Sequence, residues 1–321
     1  MNAPARPISE ESMPAPASLA TGQMGMWLFL GTEVMFFAAL LATYLILRFS
    51  VAGPDGSGWP TPAQAHMNPW IGLANTALLL ISSIMVSLAV QSLASGDAAR
   101  ATRFLWVAIA LGTAFLGVKS YEYYGKYRHN LLPGKIGEVF PQGSTIARRY
   151  DEGPGLAWLE AVKPQLEAMG GHEYRVITGK EKGEAASQPA QVAEAVQADP
   201  SKRLAVDILE AFDKGMATPS MAARKVYETN EAIRSEGSAR KELETLPALP
   251  HGNLWASCYY VITGLHATHL LVGLIALAVP ALAGLFGRLR PSGLGYLSNT
   301  ALYWHFVDLV WIIVFPLLYL V

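Results

Sequence analysis

The sequence predicts an all-α membrane protein: five transmembrane helices, with a soluble helical insertion between the third and the fourth. Three observations predict it. Of 321 residues, 52% are hydrophobic and only 15% charged, against about a quarter charged in an ordinary soluble domain. The shortfall is concentrated in five apolar runs, each reaching the roughly 20 residues that a helix needs to cross a bilayer. One segment, 125–252, breaks the pattern, with dense charges of both signs and few aromatic residues.

In chain order, residues 1–23 are rich in Pro and Ala, carry Arg6 as their one basic residue, and lack a short apolar core followed by small residues. They read as a disordered tail rather than a signal peptide. The first three spans, within 24–124, are expected at about 24–49, 70–93 and 104–124, with a Gly/Pro-rich loop at 52–69. Within 125–252, Leu204, Ile208, Leu209 and Phe212 recur at helical spacing, Pro219 and Ser220 suit a second helix start, and 181–188 reads as a polar linker. The core of this insertion is expected to be small for independent folding. The last two spans, within 253–321, are expected at about 254–286 and 299–321, the fourth being longer than a crossing needs.

Arg100 and Arg103 lie between spans two and three, Arg288 and Arg290 between spans four and five. Positive residues mark cytoplasmic loops. This predicts a cytoplasmic N-terminus, and an extracytoplasmic C-terminus and insertion. The net charge of −1 argues against a nucleic-acid partner. Cys258 is the one cysteine, so it forms no internal disulfide and supplies no thiolate metal site.

Several ionisable residues fall inside the spans, where each costs about 2.5–3.5 kcal/mol even on lenient insertion scales. Glu33 is either a neutral carboxyl bonded to a neighbouring helix, or a proton-carrying or lipid-headgroup site. Lys119 and Glu122, three residues apart, share a helical face and can pair. Lys119 is also near enough to the boundary to snorkel. His266 and His269 have the same spacing in span four, as do His305 and Asp308 in span five. With Glu33 and Glu122 they could form a carboxylate–histidine metal centre. The di-iron pattern of helical bundles, however, needs Glu-x-x-His, and none occurs within a span. The plainer reading is polar contact across helices or to a lipid headgroup. Haem ligation fits less well, because His266 and His269 cannot serve one face of a haem and no facing pair is identifiable. Gly264 and Gly273 flank the histidine pair and predict close helix packing.

These residues also occur as motifs. The chain carries Gly-Met-Trp-Leu-Phe-Leu from Gly25 and Thr-Glu-Val-Met-Phe-Phe from Thr32. Asn75-Thr76 is followed by Leu79, Ser82 and Ser83, and span three ends in Glu122-Tyr123-Tyr124. Two more motifs follow, Gly264-Leu-His-Ala-Thr-His269 and Tyr303-Trp-His-Phe-Val-Asp308. In this order they resemble subunit III of the haem–copper oxidases, the cytochrome c oxidase family, over about 24–124 and 255–321. There are three departures. Lys119 stands where the family commonly has glutamine. The family's first two helices, often present, are missing. The insertion replaces a short outer loop.

The resemblance implies a non-catalytic subunit III of a proton-pumping respiratory cytochrome c oxidase in the bacterial inner membrane. It would hold no cofactor of its own, with haem and copper in partner subunits. It would pack on catalytic subunit I, beside subunit II, bind phospholipid and support proton uptake. By similarity, Glu33 is the family's membrane carboxyl, and Glu122, His266, His269, His305 and Asp308 are inter-helix or lipid contacts. The same motifs fit a quinol oxidase or nitric oxide reductase component. A free-standing membrane metalloenzyme is the alternative of a different class. A secondary transporter is disfavoured, since no inverted repeat is visible. The insertion is a candidate contact for a cytochrome c donor or another subunit.

Overall fold

A computed structural model describes residues 17–51, 58–140, 145–181, 189–235 and 246–320. Helices dominate it. Five of them are long and apolar enough to span a bilayer: α1 (Ala17–Val51), α2 (Pro69–Ala94), α3 (Ala98–Arg128), then, after an intervening segment, α9 (Gly252–Leu285) and α10 (Leu294–Tyr319). The chain is a multi-pass, all-α membrane protein. Most of the tail expected at 1–23, and the linker at 181–188 beyond its first residue, lie outside the described residues. Helix α1 already begins at Ala17, and α3 runs on past Tyr124 to Arg128. Hydropathy falls before the helix ends, because the last turns of α3 are polar.

The segment between α3 and α9 contains β1 (Gly137–Glu138), α4 (Thr145–Asp151), α5 (Pro154–Ile177), α6 (Pro189–Ala198), α7 (Pro200–Asp213), α8 (Pro219–Ser235) and β2 (Ala248–Leu249). Prolines open α5, α6, α7 and α8, where a missing N–H costs nothing. The Asp199 side chain accepts from the Ser201 N–H at 2.9 Å and caps α7. Asp151 of α4 does the same for α8, accepting from both N–H and hydroxyl of Ser220 at 2.7 Å. The apolar faces of α5, α7 and α8 meet in a core that includes Trp158, Leu166, Leu204, Ile208 and Val226. Helix α5, which no spacing in the sequence marked, supplies Trp158, Leu159, Val162, Leu166 and Tyr174 to this core.

Strands β1 and β2 pair in parallel, Gly137 opposite Ala248 and Glu138 opposite Leu249. Parallel strands need a crossover, and α4 to α8 are that crossover. Beside the pair, the Asn253 side chain accepts from the N–H groups of Gly134 (2.7 Å) and Ile136 (3.3 Å) and donates to the Ile136 carbonyl (2.7 Å). The Glu138 carboxylate accepts from the Asn253 N–H at 2.7 Å, at the positive end of α9.

This stem carries two titratable groups of opposite sign. Burial lowers the pKa of His251 below its ordinary 6.5. Its contribution to stability is therefore complete above about pH 6.5 and is lost as pH falls through the folded value. Burial raises the pKa of Glu138, against the hydrogen bonds it accepts, so its contribution grows as pH falls. His251 also has a positive φ of 51°, which asparagine tolerates. Amide exchange at residues 251–257, corrected for intrinsic rates, is expected to quicken more on acidification in the wild type than in His251→Asn. Equal acid responses would show that the histidine does not couple to the stem.

The described residues fall into two compact units. One draws on Met1–Ala39, Leu78–Thr113 and Thr268–Val310, the other on Leu40–Ala77, Ala114–Ala267 and Trp311–Val321. In the first, a Cβ on Gly273 would meet the Trp304 ring at 2.9 Å, so this glycine permits the close packing expected of it. Gly264, in the second, meets nothing nearer than the Tyr123 hydroxyl at 4.0 Å, so only one of the two flanking glycines is tight. The second unit includes the α4–α8 core and a buried Tyr44, whose hydroxyl accepts from Trp59 Nε1 at 3.3 Å.

Candidate functional site

Within the first unit, α1 presents Glu33 to α9. Its Oε2 lies 3.0 Å from His269 Nε2, both side chains being largely buried. A carboxylate alone in hydrocarbon is costly. Here the carboxyl and the imidazole are each other's hydrogen-bond partner. The His269 ring is set by an edge-on contact with Phe37, ring centroids 5.2 Å apart. Its backbone carbonyl accepts from the Tyr303 hydroxyl at 3.0 Å.

His305 of α10 turns to α2. Ser83 Oγ is 2.5 Å from its Nδ1 and Ser87 Oγ is 3.2 Å from its Nε2. Each imidazole nitrogen thus meets a hydroxyl, which can donate or accept as the tautomer requires. Asp308, one turn on, is 6% exposed and also faces Ser83. Its Oδ1 has no hydrogen-bond partner among the described residues.

In the second unit, His266 is 1% exposed. It packs against Phe115 (centroids 5.8 Å) and Trp311 (4.9 Å). The i, i+3 pair on α9 therefore does two different things: His269 meets a carboxyl, and His266 lies among aromatic rings.

Glu122 is the centre of the largest polar cluster. Lys119 Nζ lies 3.2 Å from Oε2 and Lys126 Nζ 3.6 Å from Oε1. The hydroxyls of Tyr259 and Tyr319 donate to Oε1 and Oε2, each at 2.5 Å. Lys119 also donates to both hydroxyls, at 3.2 and 2.9 Å. Lys126 donates to the Ala65 carbonyl at 3.1 Å. The lysine side chains are 5% and 1% exposed, so Lys119 is enclosed and does not snorkel. Aromatic faces supply part of the lost hydration: Lys119 Nζ is 5.1 Å from the Trp311 ring centre and Lys126 Nζ 4.7 Å from that of Tyr259.

The pair Lys119–Glu122 was legible from spacing, but Lys126, Tyr259 and Tyr319 were missed. Lys126 sits four residues after Glu122, a pairing distance, just beyond the point where falling hydropathy ended the expected helix. The tyrosines come from α9 and α10 and have no local signal. Among the described residues, no three His, Cys, Asp or Glu side chains converge as a metal site would require. The ionisable side chains bond instead in pairs and clusters, mostly to hydroxyls and to one another.

The family profile described as "Cytochrome c oxidase subunit III" matches residues 14–140 and 250–321, more than half of the chain and every one of the spans above. The "Cytochrome c oxidase subunit 3" of Anopheles gambiae is 37% identical over 100 residues, 31% of this chain and 38% of that protein. The protein of the same name from Bacillus sp. (strain PS3) is 34% identical over 106 residues, 33% of this chain and 48% of that one. The "Cytochrome bo(3) ubiquinol oxidase subunit 3" of Pseudomonas aeruginosa is 32% identical over 147 residues, 46% of this chain and 68% of that one. The chain thus spans less than half the length of the first two relatives and about two thirds of the third. With the matched segments carrying the Glu33–His269 contact, the serine-bound His305 and the Glu122 cluster, the chain belongs to the cytochrome c oxidase subunit III family.

Proposed function

We propose that the chain is the non-catalytic subunit III of a proton-pumping respiratory cytochrome c oxidase in the bacterial inner membrane. It stabilises catalytic subunit I, lies beside subunit II, binds phospholipid and supports proton uptake. Haem and copper stay in the partner subunits. The N-terminus is cytoplasmic, and the C-terminus and the segment 125–252 are extracytoplasmic. The observation that carries this reading is the family match over all five spans. Glu33, Glu122, His266, His269, His305 and Asp308 then hold helices together or meet lipid headgroups. Purifying the complex with this chain as bait and recording its optical spectrum tests the reading. Haem-bearing subunits should come with it.

A second reading is favoured by one observation. The Pseudomonas relative is named as part of a ubiquinol oxidase and is matched over the largest share of this chain among the relatives compared. Oxidation of quinol rather than reduced cytochrome c by the purified complex would decide for it.

Glu33→Gln tests the contact with His269. Glutamine keeps a hydrogen bond to His269 but cannot release a proton. The assembled complex should keep its haem spectrum and most of its initial rate, while activity decays several-fold faster during turnover. Unaltered decay would remove Glu33 from proton support, and a lost haem spectrum would make its role one of assembly.

A further inference from the structure

Where α2 starts and α3 ends, an open cleft of about 820 Å³, its mouth included, is lined by Ile71, Val118, Tyr121, Glu122, Lys126 and Arg128 among others. Two features set its chemistry. The first is charge. The cleft and the cluster beneath it hold three cationic side chains, Lys119, Lys126 and Arg128, against one carboxylate, Glu122. Among the described residues Arg128 has no ion-pair partner, and it is exposed. The neighbouring carboxylate Glu231 is already engaged by Arg234 and Gln64. The second is the wall. Ile71 is 40% exposed, Tyr124 58% and Tyr121 73%, with Trp70 beside them at 77%. Exposed tyrosine and tryptophan at the ends of spans mark the headgroup level of a bilayer. A free anion would leave the apolar wall unused, and a neutral lipid would leave the charge unmatched.

We propose that this cleft seats the phosphate of an anionic phospholipid, with Arg128 as the direct cationic contact, Lys126 beneath it, and an acyl chain along Ile71, Val118 and Tyr121. Arginine suits the role because its fork of N–H groups matches phosphate oxygens. The proposal rests on the phospholipid-binding part of the function above and gives it a place.

The test is photo-cross-linking in the assembled complex, with benzoylphenylalanine in place of Tyr121. The complex is reconstituted in phosphatidylcholine vesicles with a minor share of phosphatidylglycerol, and adducts are identified by mass. Phosphatidylglycerol adducts should exceed that lipid's share of the vesicle by about fivefold, the factor corresponding to ~1 kcal/mol for one basic residue at an anionic surface. Arg128→Glu should abolish the enrichment. Gly125→Phe should lower all lipid adducts, since a Cβ at Gly125 meets nothing within 4 Å and the ring would occupy the cleft. Adducts that mirror bulk lipid, enrichment that survives Arg128→Glu, displacement by inorganic phosphate, or adducts to a partner subunit would each overturn the proposal. Failure of the subunit reading is separately visible, as a purified chain without haem-bearing subunits.

Discussion

Glu122→Gln is expected to destabilise the protein by about 3–5 kcal/mol, the cost of leaving a buried charge without its partner. The substitution preserves shape, and one amide oxygen can still accept a tyrosine hydroxyl. Two lysines, 5% and 1% exposed, would then share a pocket with no counter-charge, and one of the two tyrosines would lose its acceptor. Lys119→Gln removes a partner from the same ion pair and should cost much less. It leaves Glu122 with Lys126, a balanced pair. Thermal unfolding of the complex, and the fraction of complex that retains the chain, measure both variants. Against a total stability of about 5–15 kcal/mol, the first should lose the chain at moderate temperature and the second should retain it. Equal losses would mean that the lysines are not jointly held by one carboxylate.

That cluster also shows what was legible in the sequence. Composition exposed the five spans, because hydrocarbon tolerates little but apolar residues. Spacing exposed Lys119 with Glu122, and His266 with His269, because helical neighbours lie three or four residues apart. What each residue meets across the bundle depends on which helices adjoin, and spacing carries none of that. His269 and Glu33 are 236 positions apart in the chain. Between α3 and α9, the amphipathic period of Leu204, Ile208 and Leu209 marked α7, and Pro219 marked α8. Helix α5 was not expected; it contains Pro164, Gly170 and Gly171, residue types that disfavour a helix interior. Gly170 is there for packing: a Cβ on it would meet Ala205 Cβ at 2.8 Å, so α7 could not approach. Strands β1 and β2, two residues each, are too short to carry any period.

Asn253→Ala should open the stem that those strands close. Asn253 is the second residue of α9, and its side chain satisfies the N–H groups of Gly134 and Ile136 and the Ile136 carbonyl. Ile136 is fully buried, so alanine leaves two of its backbone groups without partners. At ~1–3 kcal/mol per orphaned buried group, the local loss is about 2–6 kcal/mol. The family profile leaves off at 140 and resumes at 250, so β1 and β2 lie at the two junctions where the extra segment joins the shared helices. The segment has its own core, built mainly from α5, α7 and α8 with Leu246 and Ala248 at its edge, and that core does not include Asn253. Damage should therefore stay at the junction. Amide exchange at residues 134–138 and 246–253 should rise by the roughly one to four orders of magnitude that about 2–6 kcal/mol represents. Exchange within α7 and α8 should not change. A uniform rise through α7 and α8 would show that the segment's core depends on the stem, and no rise at 134–138 would show that Asn253 does not hold it.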